Sequence, residues 1–257
     1  GFYNDVMVAH DELVGELLSQ LDELGIADNT IVFYSTDNGV HFNTWPDAGI
    51  TPFRSEKNSN WEGAYRVPAM VRWPGKIKAG TVSNDIMSHL DWMPTLAAVA
   101  GEPDLTAKLL KGTRIGDKKA KLHLDGFNFV PYLTGETPQG PRTVFHYLND
   151  EGMPVAVRVG DWKVVYAENR AQTMALWAEP FVTLRMPKIF NLRRDPYERA
   201  DHNANVYWDW YLDKAPYIYL GLATTTQFLQ TFKDYPPSQT PDSWSIDKLT
   251  ERYLKVE

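Results

Sequence analysis

The sequence predicts an α/β fold: part of a mixed, mainly parallel sheet flanked by helices, followed by a small C-terminal antiparallel sheet. Three observations carry this. A helical apolar pattern near the N-terminus runs into a short β-branched strand. Three strand-like runs separated by tight-turn residues follow after residue 126. The 257 residues are 43% hydrophobic and 23% charged, the make-up of a globular chain. The expected division is an α/β unit over 1–125, an antiparallel subdomain over 126–205, and a helical tail over 206–257 packing back on the first unit.

From Asp5 to Gly25, Val6, Leu13, Val14, Leu17, Leu18, Leu21 and Leu24 recur at three- and four-residue spacing, which predicts a helix stopped by Gly25. After a turn at Asp28-Asn29, Ile31-Val32-Phe33-Tyr34 reads as a buried strand closed by Asp37-Asn38-Gly39. Residues 39–63 lack periodicity, and a loop of that length is a candidate functional segment, ordered here by its aromatic content. Val67–Trp73 reads as a strand before the Pro74-Gly75 turn, and Asp91–Ala100 as a helix ended by Gly101. Lys108–Lys121 is lysine-rich and reads as an exposed excursion. Val144–Leu148, Pro154–Val159 and Trp162–Ala167, split by Asp-Glu-Gly and Gly-Asp turns, predict an antiparallel meander. Leu192–Asn205 reads as a charged loop. The tail adds an apolar segment, Tyr217–Phe232, and after Pro236-Pro237 a helix carrying Ile246, Leu249, Tyr253 and Leu254.

Composition narrows the chemistry. The 26 Lys+Arg against 33 Asp+Glu give a net charge of -7 and no basic run, which argues against nucleic acid. The absence of cysteine removes disulfides, thiolate zinc sites and Cys nucleophiles. No stretch is apolar enough to predict a membrane span.

The strand-end triplet Asp37-Asn38-Gly39 sits where ligands bind in open α/β sheets, beyond the carboxyl end of a strand. Its carboxylate and amide oxygens suit a hard cation such as Ca²⁺ or Mg²⁺; alone, the triplet also reads as a plain Asx turn. Twenty residues after Asp37, Lys57 opens the pattern K-x4-E-G-x-x-R-V-P, through Glu62, Gly63, Arg66, Val67 and Pro68. With that pairing the sequence resembles the sulfatases of the alkaline phosphatase superfamily. The resemblance extends over residues 5–205, through Asp28-Asn29-Thr30, Pro52-Phe53-Arg54, Asp91 with Pro94-Thr95-Leu96, Ala156-Val157-Arg158, Trp162-Lys163, Phe190-Asn191-Leu192, Asp195-Pro196 and Glu198.

The resemblance implies hydrolysis of sulfate monoesters. Asp37 and Asn38 match the downstream half of the family's calcium site, and Lys57 its sulfate-contacting lysine, with His41 and His146 as further candidates for substrate contact. Glu62 and Arg66 are expected to pair locally, and Ala64 departs from the family's usual glycine. His10 is expected to be structural, and Trp45 and Trp61 are candidate pocket walls. The formylglycine nucleophile of the family arises from a C-x-P-S-R or S-x-P-x-R type motif, and neither that motif nor the two upstream acidic metal ligands occurs in this sequence. The chain is therefore expected to be the downstream part of a periplasmic or secreted parent and inactive alone. It is also expected to self-associate, or to pair with a complementing N-terminal segment, through the uncovered edge of its first strand. Two alternatives remain open: a related phosphodiesterase or phosphonate hydrolase, and a non-catalytic remnant that binds sulfated ligands or a partner.

Overall fold

The computed structural model describes residues 1–44 and 49–237. Helix α1 (Phe2–Glu23) leads through a turn of 3-10 helix at Ala27–Asn29 into strand β1 (Val32–Ser35). The long loop that follows carries the four-residue helix α2 (Glu62–Tyr65) and ends in β2 (Ala69–Arg72). β1 pairs with β2 antiparallel, from Val32 opposite Arg72 to Ser35 opposite Ala69. Every strand pair among the described residues is antiparallel, so the parallel neighbours expected of β1 are not among them. β1 is not buried either: Phe33 is exposed, because one edge of a two-stranded sheet and much of its face have nothing against them. The apolar stripe of α1 likewise contains no buried residue.

A turn of 3-10 helix (His89–Asp91), opened by a capping box in which the Leu90 N–H donates to Ser88 Oγ and the Ser88 N–H to Asp91 Oδ2, leads into helix α3 (Trp92–Val99). It is followed by α4 (Leu105–Lys111) and a hairpin of β3 (Thr113–Ile115) and β4 (Lys118–Ala120). The lysine-rich excursion is thus structured, anchored by fully buried Leu109 while its lysines face outward.

Past the short α5 (Val130–Leu133), the predicted meander forms as β5 (Val144–Leu148), β6 (Pro154–Val159) and β7 (Trp162–Glu168). A fourth strand that the sequence did not announce, β8 (Val182–Asn191), completes a sheet of order β5-β6-β7-β8. Its two faces are both covered. Tyr147, Val165, Ala167 and Phe190 pack around Trp61 from the long loop, whereas Val157, Val164 and Ile189 pack under Tyr207 and Tyr211. The latter belong to α7 (Tyr207–Asp213), which follows α6 (Ala200–Asn203) and precedes α8 (Pro216–Asp234). α8 lies on this second sheet rather than on the first unit. A Cβ on its Gly221 would come within 2.7 Å of Val164 Cγ2, and Thr225 shares a 2.9 Å hydrogen bond with Tyr166. Its end reaches the first unit through Tyr235, whose hydroxyl donates to the Leu110 carbonyl. The expected helix around Ile246 to Leu254 lies outside the described residues.

Two ionic joints fasten the units. Asp91, fully buried under α3, receives a bidentate fork from Arg142 at 2.8 and 2.6 Å. The second joint lies beneath the candidate site.

Candidate functional site

The chain leaves β1 through Thr36 and turns back at Asp37-Asn38-Gly39. Backbone hydrogen bonds lace this turn to the long loop: the Gly39 N–H donates to the Ala64 carbonyl (2.7 Å), the Lys57 N–H to Val40 (2.9 Å) and the Gly63 N–H to Arg54 (2.8 Å). Glycine is required at two of these contacts. A Cβ on Gly39 would sit 1.8 Å from the Gly63 oxygen, and one on Gly63 would sit 2.2 Å from the Ser55 oxygen. Lys57 is flanked by two left-handed non-glycine residues, Ser55 (φ 61) and Asn58 (φ 74). Such conformations cost energy and persist where the surroundings over-determine them.

This lacing brings Asp37, Asn38 and Lys57 to the wall of one open cleft of about 2130 Å³ between the first unit and the second sheet. Asp37 is exposed; Thr36 Oγ1 donates to its Oδ1 at 3.3 Å, and it forms no ion pair among the described residues. In donor type the Asp37 carboxylate and the Asn38 amide oxygen fit a hard cation. In number they are two of the six to eight oxygens calcium takes, and no group of three His, Cys, Asp or Glu side chains able to hold a metal occurs among the described residues.

His41 lies at the mouth of the same loop. Its Nε2 accepts the indole N–H of Trp177 at 3.0 Å, and its Nδ1 lies 3.9 Å from the buried carboxylate of Glu56. Trp177 closes a 3-10 turn (Thr173–Trp177) in the β7–β8 connection, lines the cleft, and carries Lys57 Nζ 5.9 Å from its ring centroid. It was missed in the sequence, where an isolated Trp 120 positions after Lys57 carries no signal. Glu56 ties the two segments, accepting the N–H groups of Phe42 (2.5 Å) and Thr173 (2.7 Å).

His146 does not belong to this site. Successive residues of a strand point to opposite faces; Phe145 and Tyr147 line the cleft, so His146 turns to the other side and stacks on Phe228 of α8 at 4.2 Å. Burial there lowers its pKa, with Asp125 acting against that shift and Arg142 adding to it. Trp61 is corrected as well: it is a buried core residue, packed edge-on against Phe190 and covered by the Arg54 guanidinium 3.5 Å from its ring. Trp45 lies outside the described residues. His10 meets the Tyr34 hydroxyl at 3.1 Å, which fits a structural role.

Beneath Lys57 runs the second ionic joint. Lys163 of β7 is fully buried; its ammonium donates to the Asn60 carbonyl (2.8 Å) and Glu62 Oε1 (3.1 Å) and stands 2.7 Å from Glu198 Oε1 as a charge contact. Glu62, expected to pair locally, does so with Arg66 at 2.7 Å, and also accepts the Tyr147 hydroxyl at 2.6 Å. Burial pushes the Glu62 carboxyl up, and the Lys163 ammonium, the Tyr147 hydroxyl and the Arg66 guanidinium outweigh it and hold it at about 2. Glu198 goes the other way: burial, aided by the Glu62 charge, raises its pKa against the pull of Lys163. Glu198 Oε2 accepts the Glu62 N–H at 2.7 Å, and its carbonyl accepts Arg54 at 2.8 Å, so the second unit holds both ends of the segment that presents Lys57.

The strand-end oxygen pair and the ammonium twenty positions later therefore line one cleft. The sulfatase family model matches residues 2–102, the stretch that holds all three. The steryl-sulfatase of Mus musculus is 34% identical over 220 residues, covering 77% of this chain and 33% of the relative. Arylsulfatase A of Bos taurus is 32% identical over 212 residues, covering 77% and 38%. Among solved structures, the PsFucS1 sulfatase from Pseudoalteromonas sp. superposes with a TM-score of 0.73 at 27% identity, over 92% of this chain and 44% of that one. The chain spans about a third of the length of the curated relatives it matches. A matched first unit, relatives aligned on through the second, and a shared architecture across nearly all of the chain lead to one conclusion: the chain belongs to the sulfatase family.

Proposed function

We propose that this chain forms the downstream part of a sulfuric ester hydrolase, supplying the anion-binding side of its active site and receiving the formylglycine nucleophile from a segment outside it. The observation that carries the reading is the placement of Asp37, Asn38 and Lys57 on one cleft wall, fixed by the Lys57 to Val40 and Gly39 to Ala64 backbone bonds. The roles follow from charge. A sulfate monoester carries one negative charge, and more builds on the bridging oxygen as the S–O bond breaks; the Lys57 ammonium is placed to bind the first and steady the second. Asp37 and Asn38 would hold calcium together with ligands from outside this chain, and calcium when bound supplies Lewis-acid polarisation of the sulfate oxygens. Partial enclosure of Lys57 beside Trp177 reduces competition from water and strengthens its pull on the anion. The exposed face of α1 and the open edge of β1, in a chain a third the length of its relatives, support a covering segment supplied by the rest of a larger protein or by a second copy.

Calorimetric titration with inorganic sulfate, with and without calcium, tests this. Sulfate should bind in the presence of calcium and lose most of its affinity in Lys57→Ala, with the calcium dependence lost in Asp37→Ala. Calcium-independent binding that ignores both substitutions would favour a non-catalytic ligand-binding role. Turnover of 4-nitrophenyl sulfate by the chain alone, at rates typical of enzymes, would show that the nucleophile has been misassigned.

A further inference from the structure

Charge is unevenly spread over this chain. Between Lys108 and Lys121, α4 and the β3–β4 hairpin gather six cations, Lys108, Lys111, Arg114, Lys118, Lys119 and Lys121, with Asp117 as the one acid. No more than two of them adjoin in sequence, so it is the fold that brings them to one excursion. That segment is +5 in a chain of net -7, which leaves -12 on the rest. All six cations are exposed, and among the described residues only Lys108 forms an ion pair, with Glu102. The hairpin register sets Arg114 directly opposite Lys119. Like charges so placed repel, which destabilises the pairing that creates them.

Helix α1 is the counterpart. Half of that -12 comes from its six acids, Asp5, Asp11, Glu12, Glu16, Asp22 and Glu23, and it holds no Lys or Arg. Asp5, Glu12, Glu16 and Glu23 recur at helical intervals and form one stripe. At 3.6 residues per turn that stripe lies opposite the half-buried Val14, Leu18 and Leu21, so it points away from the body of the protein. A helix face that merely meets water gains from pairs of mixed sign; Glu12 and Glu16, one turn apart, are a like-charge pair that costs helix stability. Among the described residues only Asp22 of the six has a cation within reach, Arg72 at 3.8 Å.

We propose that the cationic hairpin docks on the acidic stripe of α1 of a second copy of this chain. Each surface carries a like-charge contact that the other relieves, Arg114 with Lys119 on the hairpin and Glu12 with Glu16 on the helix. Exposed apolar side chains border both, Ile115 and Leu122 on the one and Leu13 and Leu17 on the other. The contact joins two different patches, so a two-fold pair of chains forms it twice. Neither surface lines the cleft, so pairing leaves the sulfate site open, and the inference stands apart from the functional reading above. Attraction of this kind is screened by salt, whereas pairing through the leucines of α1 alone is not.

Sedimentation velocity of the full chain tests the pairing. Raising sodium chloride from about 20 mM to about 500 mM shortens the screening length from roughly 20 Å to roughly 4 Å and should weaken association by about tenfold. Two double variants give the sharper readout. Lys118→Glu with Lys119→Glu leaves acid facing acid, and Glu12→Lys with Glu16→Lys leaves base facing base, so each alone should associate at least about tenfold more weakly than the parent. Mixed in equal amounts, the acidic hairpin of the first variant meets the basic α1 of the second, and the basic hairpin of the second meets the acidic α1 of the first. The mixture should therefore recover the parent's association to within about threefold. All four substituted side chains are exposed, so both variants should fold, and an unchanged circular dichroism melt checks this. A parent chain that is monomeric at low salt, an association that salt leaves unchanged or strengthens, or a mixture no heavier than its components would each overturn the proposal.

Discussion

Replacing Lys163 by methionine removes the one ammonium that faces both Glu62 and Glu198, while roughly keeping the volume. Lys163, Glu62 and Glu198 are each exposed by no more than 1%, so water cannot take over the lost charge. Glu62 keeps Arg66 at 2.7 Å; Glu198 keeps no cation within 4 Å among the described residues. Breaking a buried pair by deleting one partner costs about 3–5 kcal/mol, a large share of the roughly 5–15 kcal/mol that holds a domain folded. At about 2–4 °C per kcal/mol for a chain of this size, the melting temperature should drop by about 6–20 °C. Thermal melts followed by circular dichroism measure it. The stronger check is the triple variant Lys163→Met, Glu62→Gln, Glu198→Gln, which removes the stranded charges and should recover more than half of the loss. A single variant within about 1 kcal/mol of the parent, or a triple no better than the single, would refute the argument that the charges rather than the packing set the cost.

Acid unfolding tests the same joint. Glu62, held at about 2 against an ordinary 4.5, contributes about 3 kcal/mol that is present above pH 4.5 and lost as pH falls toward 2, and raised Glu198 works against it. The Glu198 effect lies in a different window, because its raised carboxyl takes up a proton before the unfolded chain does and stability gains as pH falls toward 4.5. Glu198→Gln should remove that gain above pH 4.5 and leave the loss between 4.5 and 2, and an unchanged slope above pH 4.5 in urea titrations counts against the assignment. Gly39→Ala should cost about 1–3 kcal/mol and speed amide exchange at residues 39 and 57, because its Cβ has a backbone oxygen 1.8 Å away. Gly15→Ala, with nothing within 4 Å in α1, should instead stabilise by about 0.5–1 kcal/mol; equal outcomes for the two would contradict the packing read here. Light scattering should show a mass above the monomer's that rises with concentration and falls in Leu17→Glu, since Leu13 and Leu17 on α1 are both exposed. A monomer at every concentration would sink that expectation.

How far the fold could be read in the sequence depended on the range of the forces involved. β5 and β6 begin and end where short apolar runs meet turn residues, because hairpin registers are set locally. β8 gave no such signal: Arg185, Pro187 and Lys188 interrupt it, and Lys188 is accommodated by Glu168 and Asp201, which lie 20 residues before it and 13 after. In the site, Asp37, Asn38 and Lys57 were legible because the family's spacing marks them. His146 was misplaced because strand parity, which sends it away from the cleft, was not applied to a residue singled out for its chemistry. Trp177 carried no signal, and Lys163 was marked only as part of a family motif without its partners, for one reason: each acts on a loop more than 100 residues earlier in the chain.

That distance shows how the site is made. Among the described residues, four non-glycine positions have a left-handed backbone, Ser55, Asn58, Thr173 and Glu198, and all four lie in the Lys57 loop or in segments that grip it. At about 1–3 kcal/mol each, such conformations do not survive in an isolated loop. Here they are offset by the second unit, through the Glu198 contact to the Glu62 N–H, the Lys163 contact to Asn60 and the Leu176 contact to Asn58. The antiparallel sheet therefore does more than append a subdomain: it is the mould in which the Lys57 loop takes its shape. It follows that Lys163→Met, measured well below its own melting temperature, should weaken sulfate binding although the side chain lies beneath the cleft wall. Glu198→Gln, which keeps an oxygen for the Glu62 N–H, should weaken it far less.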